Sequence, residues 1–292
     1  MQFLKNQSQK KLKFSKLPNL MIIGAMKCGT TSLHHYLNFH PQIAMSKAKE
    51  LHFFVEGKNW HKGLKWYQSH FDSEAPIRGE TSPSYTAYPK WQGVPEKMQS
   101  VVPDAKLIYI VRDPIKRIIS HYLNRYAAGV EHRGINEVLA ADFESDYVLR
   151  SCYSMQLEQY RQYFPDSNIL VITLEQLQNN RQATLKKIFQ YLQIEDSLPL
   201  QISEQALHKS SQKRRKNALG LFISQLPLIH RTSRLPHELR WAVENILYFP
   251  LSQKIEKPEL DESLRQKLIE YLRKDIEDLR TYTGDNFQEW CI

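Results

Sequence analysis

Residues 19–37 read NLMIIGAMKCGTTSLHHYL: a short apolar run, a loop bounded by two glycines, then Leu33, Tyr36 and Leu37 at helical spacing. That order predicts strand, loop and helix. Gly24 and Gly29 stand at the separation of the glycines in a phosphate loop of the form G-x-x-x-x-G-K-[ST]. Thr30 occupies the lysine position, however, and the only lysine, Lys27, lies inside the loop. Main-chain N–H groups of residues 27–32 at a helix N-terminus would point at an anion, helped by the helix dipole and the hydroxyls of Thr30, Thr31 and Ser32. A nucleotide triphosphatase would place an aspartate at the end of a second strand to hold magnesium. Here the second apolar run ends in IVRDP, residues 110–114, with arginine first. The pattern predicts direct cationic contact with the phosphates and no metal site.

Working outward, apolar runs alternate with amphipathic segments. KLIYIV, residues 106–111, reads as a second buried strand, followed by Asp113 as N-cap, Pro114 at the first helical position, and Ile115, Ile118, Ile119, Tyr122 and Tyr126 along one helix face. A helix over 152–164 precedes a strand over 168–174, and a helix over 181–192 follows; two more helices are expected near 238–247 and 260–281. Such alternation predicts an α/β fold, a P-loop-like parallel sheet flanked by helices on both faces, with a helical C-terminal part. With no repeat or low-complexity linker, residues 19–292 read as one domain behind a basic segment, residues 1–18.

The composition narrows the class. A chain of 292 residues, 41% of them hydrophobic, can bury a substantial core. Cys28, Cys152 and Cys291 are far apart and odd in number, which suggests neither a disulfide framework nor a zinc site. The apolar run at residues 20–23 is far too short for a signal segment or membrane span, so a cytoplasmic protein is expected. The net charge of +9 is uneven: no acid occurs before Glu50, and HKSSQKRRK, residues 208–216, carries five basic residues in an acid-free stretch. Both segments attract anions. Nucleic acid is the rival partner, but no recognition motif supports it.

Two motifs carry a resemblance. IGAMKCGTTSL, residues 23–33, resembles the 5′-phosphosulfate loop of sulfotransferases that use 3′-phosphoadenosine-5′-phosphosulfate (PAPS), and YIVRDPIKRIISHYLN, residues 109–124, resembles their 3′-phosphate segment. KELHFF (49–54), WHKGLKWYQSHF (60–71) and GETSPSYTAYP (79–89) are similar to acceptor-side segments of the heparan-sulfate-type branch. The resemblance implies that Lys27 touches the phosphosulfate bridge and that Lys27, Cys28, Gly29, Thr30, Thr31 and Ser32 form the 5′-phosphate cradle. It further implies that Arg112 and Ser120 hold the 3′-phosphate, that Tyr153 also reaches it, and that a basic loop containing Ser210, Ser211, Lys213 and Arg214 closes over the nucleotide. No resemblance extends over the last 75 residues or so.

Glu50 aligns with the glutamate that removes the acceptor's proton in that branch, and His52 is the alternative base. Among lysines the Glu50 carboxyl is expected to have a lowered pKa, which desolvation by Phe53, Phe54 and substrate would have to offset. Trp60, Trp66 and Tyr67 line either a cleft or the core. One departure concerns the acceptor: Thr81 stands where the branch carries a lysine, so a cation for an anionic polysaccharide is missing there. The expected reaction moves a sulfuryl group from PAPS to a hydroxyl, or an amine, of a carbohydrate, glycolipid or small molecule, releasing 3′-phosphoadenosine-5′-phosphate (PAP). The rival readings are a P-loop kinase or nucleotidase and a basic nucleic-acid-binding protein.

Overall fold

The run LMIIG forms β1 (Leu20–Gly24), buried along its whole length. Its side chains alternate between two apolar clusters, Met21 and Ile23 in one and Leu20 and Ile22 in the other, as a strand covered on both faces requires. In this computed structural model, which describes residues 17–196, 214–216 and 252–292, β1 lies in the middle of a five-stranded sheet. Its companions are β2 (Ile43–Met45), β3 (Ile77–Thr81), β4 (Lys106–Val111) and β5 (Ile169–Thr173). The order is β2-β3-β1-β4-β5, and every neighbouring pair is parallel.

The helices that matter for the site are α1 (Thr30–Leu37), α2 (Val94–Val101), α3 (Pro114–Ala127), α4 (Tyr153–Arg161), α5 (Leu174–Asn179), α6 (Arg181–Leu192) and α7 (Glu262–Thr283). Leu33 and Leu37 of α1 and Leu185, Ile188 and Phe189 of α6 cover one face of the sheet. Ile118 of α3, Tyr153 and Leu157 of α4 and the α7 stripe Leu264, Leu268, Leu272 and Ile276 cover the other. The α7 stripe repeats every four residues, and α7 ends at Gly284 in the left-handed conformation that favours glycine.

Topology places the site. From β1 the chain passes through α1 to β2 on one side, whereas β4 joins on the other side of β1. The carboxyl ends of β1 and β4 therefore flank a switch point, where parallel α/β sheets leave a crevice for ligands. The expected strands and the helix over 181–192 form within a residue of their predicted bounds; the helix expected over 152–164 is shorter, Tyr153–Arg161. β3, with Arg78, Gly79 and Glu80 inside it, carries no apolar run that would mark it. Of the basic loop, Ser210, Ser211 and Lys213 lie outside the described residues, as do residues 1–16 and the helix expected near 238–247. Arg214 belongs to β6 (Arg214–Lys216), antiparallel to β7 (Ser252–Lys254) and lying against α3.

Candidate active site at the carboxyl ends of the strands

The loop after β1 is pressed between two walls. A Cβ on Gly24 would sit 1.9 Å from Thr86 Oγ1, and one on Gly29, whose φ is +86°, would sit 2.5 Å from a Leu174 methyl. Only glycine fits either place. Main-chain bonds fix the curve: the Ala25 N–H donates to the Ile110 carbonyl (2.6 Å) and the Cys28 N–H to that of Ala25 (3.1 Å). Arginine side chains grip it from behind, Arg112 Nη1 on the Lys27 carbonyl (3.2 Å) and Arg117 Nη1 on that of Met26 (3.5 Å). The first turn of α1 contains no acid, so its N-terminal amides at Thr30 and Thr31 keep their positive character.

The predicted cradle residues of the glycine loop meet Arg112 and Ser120 here. Lys27, held at φ 74°, reaches across the loop to Asn124 Oδ1 on α3 (3.3 Å), one helical turn beyond Ser120. Arg112 at the end of β4 keeps a buried Nε with no hydrogen-bond partner among the described residues. An orphaned guanidinium N–H is costly, and a phosphate oxygen is the group that satisfies it best. The cradle therefore fits an anionic nucleotide. Cys28 is wall rather than donor, because its amide is already bonded to Ala25 and burial pushes its thiol up to about 11, against the pull of Arg117 and Arg112. Tyr153 is fully buried and donates to the Arg112 carbonyl (2.8 Å). Its hydroxyl thereby supports the main chain of Arg112.

Residues 49–54 form no strand. Glu50 and His52 take left-handed φ values of 64° and 49° because both amides are drawn to the end of β3: Glu50 N–H to the Thr81 carbonyl (2.8 Å), His52 N–H to Ser82 Oγ (3.0 Å). The turn brings the two candidate bases together, with His52 Nε2 3.7 Å from Glu50 Oε2, while Glu50 Oε1 meets Lys49 Nζ at 2.6 Å. Burial raises the Glu50 carboxyl, but the Lys49 hydrogen bond and the charges of Lys49, His52 and Lys58 outweigh it and lower the pKa. Phe53 and Phe54 are core residues, and the Glu50 side chain remains 47% exposed. His52 Nδ1 lies 2.6 Å from Ser84 Oγ, and burial followed by Lys58 pushes its pKa down to about 4. With Glu50 ionised, the fitting tautomer carries the proton on Nε2, facing the carboxylate, and accepts from Ser84 at Nδ1.

The "Sulfotransferase domain" family description matches residues 17–231. The chain belongs to the sulfotransferase family. It is 28% identical over 202 residues to human bifunctional heparan sulfate N-deacetylase/N-sulfotransferase 2, covering 61% of this chain and 22% of that protein. It is 32% identical over 206 residues to human heparan sulfate glucosamine 3-O-sulfotransferase 5, covering 66% of this chain and 57% of that one. Among solved structures, the sulfotransferase of Alicyclobacillus acidocaldarius has the same fold, with a TM-score of 0.64 and 22% identity over 94% of this chain and 98% of that one.

Within this sulfotransferase chain, Glu80 shapes the site without being among the residues expected from the sequence. It is fully buried and accepts hydrogen bonds from Tyr67, Ser82 (2.6 Å) and Tyr85 (2.8 Å); burial raises its pKa. Ser82 in turn accepts the His52 amide, so Glu80 shapes the turn that carries the bases. An acid in a strand covered on both faces was the available signal. Tyr67 thereby belongs to the core, stacked on Phe53 at 4.1 Å, and Trp60 and Trp66 pack on the same cluster. Thr81 is buried too, its hydroxyl 2.9 Å from His34 Nδ1. A nearby cation comes instead from Lys58, whose ammonium lies 5.9 Å from the Trp91 ring centre and feels the charges of Glu50, Arg150 and Lys90. No group of three or more His, Cys, Asp or Glu among the described residues is placed to hold a metal.

Proposed function

We propose that the chain transfers a sulfuryl group from PAPS to an acceptor hydroxyl, or less readily an amine, and releases PAP. The carrying observation is the buried Nε of Arg112 beside the glycine loop, which has no hydrogen-bond partner among the described residues: a cationic site at the end of β4 fits a second phosphate beyond the one bound at α1, the feature by which PAPS differs from ATP. A kinase would want a metal-binding carboxylate there. Asp113 is instead committed to capping α3 and to accepting from Cys291.

Glu50 is the base this geometry favours. Its carboxylate is ionised and half exposed, whereas His52 turns a protonated Nε2 toward Glu50 and occupies Nδ1 with Ser84. As the acceptor oxygen attacks sulfur, its proton passes to Glu50, the bond from sulfur to the 5′-phosphate oxygen breaks, and Lys27 with the α1 amides stabilises the charge left on PAP. Lys58, with Lys90 and Arg150 around it, suits a carbohydrate acceptor that carries an anionic group beside its hydroxyl. No helix among the described residues is long and apolar enough to cross a membrane; a cytoplasmic setting is part of the proposal.

Two outcomes follow here. PAP should bind far more tightly than ADP, and Arg112→Ala should remove most of that preference, a charge-assisted contact of about 1.5–3 kcal/mol. Isothermal titration measures both; equal affinity for PAP and ADP would rule the assignment out. The acid limb of kcat/KM should lie below the ordinary glutamate value, because the hydrogen bond and charge of Lys49 outweigh burial and lower Glu50, while burial and Lys58 lower His52 to about 4. Above that point Glu50 is ionised and His52 neutral, and activity is lost only as pH falls through it. An acid limb at 6.5, the ordinary histidine value, would show that His52 titrates unshifted.

A further inference from the structure

We infer that residues 285–292, beyond the matched segment 17–231, are a positioning device for the nucleotide's 3′-phosphate, and that Trp290 exerts it on Arg112. This rests on reading Arg112 as the 3′-phosphate ligand. After α7 the chain doubles back: Asp285 Oδ1 accepts the Phe287 N–H (2.9 Å), and the Phe287 and Trp290 rings stack at 4.2 Å. The segment is tied to α5 at two points, Gln176 Nε2 to Asp285 Oδ2 (2.7 Å) and Asn179 Nδ2 to Glu289 Oε1 (3.0 Å).

What it grips is one peptide group, the link between Arg112 and Asp113. The carbonyl of that peptide accepts from Tyr153 Oη at 2.8 Å, and its N–H donates to Glu175 Oε1 at 3.2 Å. Trp290 touches both partners: its ring lies 5.8 Å from that of Tyr153, and its indole N–H donates to Glu175 Oε2 at 3.4 Å. Cys291 adds a clamp on the next side chain, with its amide (3.0 Å) and thiol (2.6 Å) both donating to Asp113 Oδ2. The plane of a peptide sets the direction in which the preceding side chain leaves the backbone. Arg112 is thus aimed by contacts that begin 178 residues away in the chain.

Titration with PAP and with adenosine 5′-monophosphate, which lacks the 3′-phosphate, tests the idea in the full chain. Trp290→Phe keeps a ring but removes the indole donor; Trp290→Leu removes the ring contact as well. PAP affinity should fall about threefold in the first and about tenfold in the second, with adenosine monophosphate affinity within twofold of wild type. In an Arg112→Ala background neither change should weaken PAP further. Unchanged PAP affinity in Trp290→Leu, or equal losses for the two nucleotides, would overturn the inference. Failure of Arg112→Ala alone to lower PAP relative to the monophosphate would instead remove the underlying reading of Arg112, whatever Trp290 does.

Discussion

Lys27→Ala is expected to slow sulfuryl transfer by about 10²- to 10³-fold, the usual consequence of deleting one positioned group that stabilises transition-state charge. The loop should survive the change. Its curve is set by Gly24 and Gly29 and by bonds to the carbonyls of Ala25, Met26 and Lys27, none of which uses the Lys27 side chain. Donor binding should weaken as well, because the ammonium also meets the ground-state phosphosulfate. Single-turnover transfer separates the two effects. A variant that binds PAP less well yet transfers at the wild-type rate would mean that charge on the leaving phosphate is stabilised elsewhere.

Glu50→Gln should cost about 10²- to 10⁴-fold in kcat, the range for a general base, and leave PAP affinity almost untouched, since Glu50 faces Lys49 and His52 and bonds the loop nowhere. Steady-state kinetics on one acceptor, alongside titration with PAP, gives both numbers. Near-wild-type turnover in Glu50→Gln together with its loss in His52→Ala would move the base to His52.

The sequence exposes those parts of the site that are locally encoded. Gly24, Lys27, Gly29 and Arg112 sit where strand, loop and helix meet, and periodicity of two or 3.6 marks each flanking element. The Glu50–His52 turn is not legible, because left-handed φ at two non-glycine residues arises from hydrogen bonds to β3, some thirty residues further along. Glu80 escapes because three hydroxyl donors, Ser82 and Tyr85 just after it and Tyr67 from an earlier helix, make its burial tolerable. The Tyr153 bond to Arg112 spans 41 residues and the grip of Trp290 and Cys291 more than a hundred, and contacts of that reach leave no spacing pattern to read.

The central claim is that this cradle passes a sulfuryl group, not a phosphoryl group, and does so with protein cations. Incubation with PAPS labelled in its sulfuryl group, a pool of carbohydrate acceptors and excess chelator, following sulfated product and PAP together, tests it most directly. The wild-type chain should form product and PAP in equal amounts, and Lys27→Ala should form almost none in the same time. Product that appears only when magnesium is restored, or PAPS consumed with no sulfated acceptor, would contradict the account.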